Sequence, residues 1–325
     1  MPSLDQFVGW GEETVWGTAV ARTGFARAYA ETKFNHVTPQ TPHSFIGGRY
    51  AIAPLMQQQH AEAELVIPFT YTGCEILLSH MMGAKISTSA GPPYTHTLAL
   101  DHNPYDRATA PFFGLTLEHH LDLPDAGPIE SFIMHGARCS QWSTIFRVNE
   151  ECKLTSSWAG KKIDQVVKSA TPAYPDYEAT TDNPILRFSD ITATIATTTT
   201  SMYSLEINVN NNLRMDRGFL GSDYIEAPTP AGRAEITGTI ETQWLSNVDY
   251  AKFVAGTPVA IVATATTGAG IVTTISLPVC YYSGETPGGK EGEDIDLTLP
   301  FTAYMDDGTL DALRITQENG VLAPV

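Results

Sequence analysis

The chain has 325 residues, 26 glycines, 21 prolines and a formal net charge of -17. So acidic a chain lacks the clustered Lys and Arg that grip nucleic-acid phosphates, but it suits a surface that lets a polyanion pass without sticking. Plentiful Gly, Pro and Thr with only 17% charged residues predict many short strands joined by turns and exclude a helical bundle.

Residues 1–25 carry Gly9-Trp-Gly-Glu-Glu-Thr-Val-Trp16-Gly-Thr, which reads as an irregular N-terminal arm that docks through Trp10 and Trp16. The opening Met1-Pro-Ser-Leu-Asp-Gln-Phe7 lacks the parts of a signal peptide, and no apolar run reaches the roughly 18 residues of a membrane span. Residues 34–60, with Gly47, Gly48 and several prolines, read as a long loop or hairpin. From Ala61 to Tyr71 the sequence alternates: Ala63, Leu65, Ile67, Phe69 and Tyr71 share one face, while Glu62, Glu64, Pro68 and Thr70 share the other. Pro68 cannot donate to a ladder and predicts a strand edge or bulge. A helix follows over Cys74–Met82, stopped by Gly83.

Alternating runs recur over Thr95–Leu100, Phe113–Leu121, Ser131–Cys139 and Gln141–Trp158. A Pro-rich connection covers 160–184. Beyond it, Tyr203–Val209 and Ala234–Thr242 alternate around a polar loop holding Asn211, Asn212, Gly221 and Ser222, and a helical stretch ends at Gly256. Thr257–Val279, Asp294–Tyr304 and Ala312–Thr316 supply the last strands. Four cysteines, Cys74, Cys139, Cys152 and Cys280, form no C-x-x-C pair and predict free buried thiols.

Ala61–Gly83 aligns with Ala234–Gly256 at a constant offset of 173, matching Ala61/Ala234, Glu62/Glu235, Ile67/Ile240 and Gly83/Gly256. This predicts two copies of one mainly β domain. The expected division is an arm at 1–25, a first domain at 26–165, a linker at 166–184 and a second domain at 185–325.

No motif nominates a catalytic, cofactor or metal site. Gly284-Glu-Thr-Pro-Gly-Gly-Lys290 has phosphate-loop spacing, but Glu291 stands where Ser or Thr is required. Glu291, Glu293, Asp294 and Asp296 lack the ordered spacing of a calcium loop. His119 and His120 are adjacent in a strand and so point to opposite faces, which disfavours one shared metal.

The N-terminal Gly11-Glu-Glu-Thr-Val-Trp-Gly-Thr-Ala-Val20 resembles the opening signature of the tail tube proteins of long-tailed bacteriophages, in their longer two-part form. Leu205-Glu-Ile-Asn-Val-Asn-Asn-Asn-Leu213, Leu220-Gly-Ser222 and Ala234-Glu-Ile-Thr-Gly-Thr-Ile240 resemble the family's central block, and Gly136–Cys139 and Asp296–Ala303 fit its remaining strands. The resemblance implies two tandem β-sandwich or barrel domains, each with a short flanking helix. It implies a structural virion protein that self-assembles into stacked rings, the conduit for DNA ejection. The expected ring is a homotrimer with pseudo-sixfold symmetry, with a homohexamer as the alternative. Its partners would be the tape measure protein, the tail terminator, and viral DNA passing without specific binding; no membrane and no cofactor are expected. Assembly in the host cytoplasm and residence in the virion tail follow from the same likeness.

On that reading Glu62, Glu64, Glu235, Thr237, Thr239 and Glu241 line the channel. Trp10, Trp16, Gly47, Gly48, Asn211, Asn212, Gly221 and Ser222 make contacts between subunits or rings. The rival is a carbohydrate- or receptor-binding β-sandwich of the tail tip, whose aromatic platform would come from Trp10, Trp16 and Trp142. A hydrolase on a β scaffold is the third reading, with no catalytic pair to name.

Overall fold

The computed structural model describes residues 6–43, 53–83, 86–91, 93–100, 114–121, 129–168, 185–196, 198–244, 248–267, 270–284, 296–309 and 311–319. They form antiparallel strands and two eight-residue α-helices, the mainly β class that the composition predicts. The first series runs β1 (Gln6–Glu12), β2 (Gly24–Arg27), β3 (Lys33–Val37), the hairpin β4 (Gln40–His43) and β5 (Ala53–Met56), β6 (His60–Pro68) and α1 (Glu75–Met82). It continues with β7 (Ser87–Thr88), β8 (Tyr94–Ala99), β9 (Leu115–Leu121), β10 (Ile129–Arg147), β11 (Lys153–Gly160) and β12 (Lys162–Lys168).

The second series opens with β13 (Ile191–Ile195), β14 (Thr198–Thr199), β15 (Met202–Asn210) and the hairpin β16 (Leu213–Arg214) and β17 (Thr229–Pro230). It closes with β18 (Glu235–Gln243), α2 (Val248–Ala255), β19 (Val259–Thr266), β20 (Val272–Tyr282), β21 (Asp296–Tyr304) and β22 (Arg314–Asn319).

The pairings of the first series recur in the second. β2–β1–β9–β10–β12 has its counterpart in β14–β13–β19–β20–β22. Likewise β3–β6–β11–β10 matches β15–β18–β21–β20, each with a two-stranded hairpin inserted after its first strand. The helices keep the 173-residue offset, and both are stopped by a glycine in the left-handed region, Gly83 at φ 58° and Gly256 at φ 60°.

Three pairings have no counterpart, one of them the short β7–β8 pair. The end of β10 pairs with β15 from Gln141↔Asn210 to Arg147↔Ser204, which joins both four-strand sets into one sheet of order β3-β6-β11-β10-β15-β18-β21-β20. Strand β8, from the first series, adds to the edge of β22. A bulge between Cys139 and Gln141 lets β10 leave one sheet and enter the other, since an extra residue bends a strand and raises its twist.

The inner face of the joined sheet carries the apolar set read from the sequence. Ala63, Leu65, Ile67, Phe69 and Tyr71 are buried, as are Trp142, Trp158, Ile207, Ile240 and Phe301. Pro68 ends β6 opposite Lys153, beyond the reach of β3, so its missing donor costs no pairing on that edge. Helix α1 buries Leu77, Leu78 and Met81. Three amides from the second series hold it. Asn211 Nδ2 donates to Met81 O (2.9 Å) and Cys139 O (3.0 Å), Gln317 Nε2 to Tyr71 O (3.1 Å) and Thr70 O (3.3 Å), and Asn319 Nδ2 to Glu75 Oε1 (3.0 Å).

Several expectations change. In place of a separate arm over 1–25, Gln6–Glu12 is a strand paired on both edges. Past it, the buried Glu13 carboxylate accepts from Gly17 N (2.6 Å), Gly136 N (2.8 Å) and Thr116 Oγ1 (2.9 Å), while Trp16 Nε1 donates to Gly136 O (3.0 Å). Gly136 has φ 66°, and a Cβ there would lie 2.6 Å from Trp16 Nε1. The Glu-x-x-Trp-Gly signature thus ties the segment to its own chain. Of the connection expected from residue 160, Lys162–Lys168 is a strand paired with β10, and 169–184 lie outside the described residues. The acidic loop lies outside the described residues from 285 to 295. All four cysteines are free and buried, and burial pushes the Cys74 and Cys280 thiols up to about 12.

Removing the Asn211 amide leaves two carbonyls in the interior without their donor. Asn211→Ala is expected to destabilise the chain by about 2–3 kcal/mol, read as a lower urea midpoint with unchanged slope. Burial, then the neighbouring His120, lower the His119 pKa from 6.5 to about 4. The unfolded chain therefore binds the extra proton between those values, so this stability is whole above pH 6.5 and lost as pH falls toward 4. His119→Phe should lose less stability between pH 7 and pH 5 than the unsubstituted chain, measured by thermal melting at each pH.

Candidate assembly surfaces

Residues directly opposite in a ladder share a face of the sheet. Tracing partners across the joined sheet, one row runs Glu64, Ser157, Gln141, Asn210 and Glu235. The next runs Thr155, Ser143, Asn208, Thr237, Thr302 and Tyr281. Glu62 lies on the same face of β6, and Thr239 and Glu241 on that of β18. All six residues singled out from the sequence for one polar surface therefore lie on one side of one continuous sheet, although two series of strands supply them.

That face is mostly polar, with Val66, Ile145 and Pro300 as apolar members. Ser, Thr, Asn and Gln dominate it, with carboxylates at Glu62, Glu64, Glu206, Glu235 and Glu241 against the cations Lys33, Lys153 and Arg147. Its side chains bond among themselves: Ser204 Oγ to Glu241 Oε2 at 2.7 Å, Asn208 Nδ2 to Glu206 Oε1 at 2.9 Å, and His60 Nε2 to Glu62 Oε1 at 3.3 Å. The hydroxyl and amide rows of β10, β11 and β15 escaped the sequence reading because they are legible only once the register is known.

The second surface is the loop end. The segments between β5 and β6 and between β16 and β17 meet there: Gln59 bridges Tyr224, and Gln58 Nε2 donates to Phe219 O (3.0 Å) and Ser222 O (3.2 Å). Gly221, with φ 86°, and Ser222 are exposed at this end. Beside them Phe219 is 64% exposed and Leu220 fully so, an apolar tip the sequence reading passed over. Asn212 is partly exposed at the base of the loop, its Nδ2 donating to Arg233 O at 2.5 Å.

The remaining contact candidates separate from these. Trp10 is 1% exposed and Asn211 is buried, so both side chains serve the interior of their own chain. Trp16 is held against Gly136, and Gly47 and Gly48 lie outside the described residues. With Trp10 and Trp142 both buried, the aromatic platform of the carbohydrate-binding reading loses two of its three members. Among the described residues no group of three or more His, Cys, Asp and Glu side chains could hold a metal ion, and no helix is long and apolar enough to cross a membrane. His120 Nδ1 lies 3.0 Å from Ser131 Oγ, while His119 packs on the Phe34 ring; the two histidines do face opposite sides.

Among the described residues the joined sheet has unpaired strand edges, and an open edge is a template for another strand. The family profile of phage tail tube proteins matches residues 3–303, and the chain belongs to that family. Its role is structural, in the phage tail, in a family that is not a class of enzymes. No curated protein matches the sequence.

The Phe219–Leu220 tip tests the loop end as a contact. Replacing both with Ser should leave the fold's melting temperature within a few degrees, because neither side chain is buried. It should reduce the length of any assemblies seen by electron microscopy.

Proposed function

We propose that this chain closes into rings that stack as a hollow tail tube, and that the polar sheet face lines the channel through which viral DNA leaves the capsid. The single observation behind this reading is the eight-strand sheet with one buried and one polar face. A half-solvated antiparallel sheet commonly keeps one face on the core and one in water, and closing it through copies of itself removes its edges. The two matching series of pairings favour treating one chain as two equivalent units. Three chains then supply six units, a trimer with pseudo-sixfold symmetry; six chains in a ring is the competing count.

The channel lining follows from its chemistry. The five Glu side chains outnumber the three cations on this face, and their repulsion of a polyanion acts over the roughly 8 Å screening length at physiological salt. Hydroxyls and amides between them keep the wall hydrated without offering a cationic grip. DNA would pass without specific contacts. The tape measure protein and the tail terminator are the partners such a tube requires, and the ring would be built in the host cytoplasm before joining the virion tail.

Electron microscopy of the concentrated protein tests the reading: hollow rods or stacked annuli are expected, and light scattering of a single ring gives three chains or six. A protein that stays a single chain at high concentration and binds a glycan would reverse the choice in favour of the tail-tip reading. Changing Glu62, Glu64, Glu235 and Glu241 to Lys should leave tube formation intact and slow DNA release from assembled particles; unaltered release would remove these residues from the channel wall.

A further inference from the structure

The joined sheet holds one copy of a junction that its own repetition demands twice. Tracing the ladders strand by strand from the common offset of β6 and β18, Lys33–Asn35 take the places of Asn208–Asn210. Tyr281 and Tyr282 take those of Gln141 and Trp142. Gln165 on β12 takes that of Gln317 on β22. Within the chain the first series meets the second through Gln141↔Asn210 and Trp142↔Val209. The corresponding edges, β3 on one side and Tyr281–Ser283 on the other, have no strand partner among the described residues.

The helices show the same imbalance. Glu75 and Met81 on α1 are 1% and 0% exposed, whereas the residues at their places on α2, Val248 and Val254, are 57% and 66% exposed. What covers α1 is Asn211, Gln317 and Asn319 from the second series, together with β8 of the first, which pairs with β22. After α2 only Gly256, Thr257 and Pro258 separate the helix from β19, a link too short to hold a strand equivalent to β8.

We propose that the occupant of this bare junction is a second copy of the chain, in the register of the internal one. Asn35 of the second copy stands opposite Tyr281, Phe34 opposite Tyr282 and Lys33 opposite Ser283. Its Gln165 donates to the carbonyls of Gln243 and Trp244, as Gln317 does to those of Thr70 and Tyr71. The chemistry is compatible at each position. Phe34 and Tyr282 both point toward the apolar side, as Val209 and Trp142 do. Asn35 and Tyr281 continue the polar rows, with Asn35 repeating Asn210. The second copy's β12 brings the half-exposed Val166 to the same junction as the uncovered α2. The inference rests on the ring reading and specifies its joint.

The test uses the full chain carrying Asn35→Cys and Tyr281→Cys; the four native thiols are buried. Opposed residues in a ladder have Cβ atoms about 5 Å apart, within reach of oxidation or a short bis-maleimide. The expected result is a ladder of covalent multimers on a denaturing gel that stops at the ring size, absent from either single variant. Hydrogen exchange on the unsubstituted protein gives an independent measure. Peptides spanning 33–37 and 281–284 should slow by about tenfold or more on assembly, while 7–12, paired on both edges already, stays unchanged. Rings visible by microscopy without the cross-link and without added protection would overturn the proposed joint and leave the tube reading standing. A chain that never assembles overturns the ring reading and this joint together.

Discussion

The seven-residue ladder between the end of β10 and β15 is the constraint on which the rest of the structure depends. Without it the chain would hold two four-strand sheets with four open edges; with it there is one sheet with two. The backbone groups of both strands must find partners wherever water is excluded, and the ladder provides them across the boundary between the two series. It also fixes which side chains share a face, because a slip of one residue would turn every inward side chain outward. The Cys139–Gln141 bulge makes the ladder possible by steering one long strand out of one sheet and into the next.

The polar contacts around this ladder are few and buried. Asn211 reaches from the end of β15 to both the last turn of α1 and the bulge in β10, so one amide reports on three elements at once. Gln317 and Asn319 hold the strand-to-helix turn from the other side. Helix α1 is therefore a keystone between the two series, and the contrast with the exposed α2 is a contrast in what lies beside each helix. The tripeptide link after α2 leaves it bare; the longer link after α1 sends β8 across to β22.

The fold also accounts for the state of the thiols and of His119. The thiols are buried and protonated, His119 is held neutral by burial, and the carboxylates of the polar face sit among hydroxyls and amides. Such a sheet offers shape, hydration and charge, and these suit a wall better than a binding cleft. The Glu13 carboxylate is spent on anchoring the segment after β1 to Gly136.

Periodicity in the sequence determined the β class, the alternation of Ala63–Tyr71 against Glu62 and Glu64, both helices and their glycine stops, and the recurrence at 173 residues. These are local properties: a strand alternates with period two and a helix ends where a left-handed residue is tolerated, whatever lies across from them. The tertiary structure decided that Trp10 is core, that Asn211 is an internal brace, that residues 6–12 are a strand within a sheet, and that β12 runs on to Lys168, into the first residues of the supposed linker. It also decided that the Ser, Thr and Asn rows of β10, β11 and β15 extend the surface begun by the glutamates. Those outcomes depend on which strands pair and in what register. That choice is made by packing and backbone satisfaction between residues far apart in the chain, which no local pattern records.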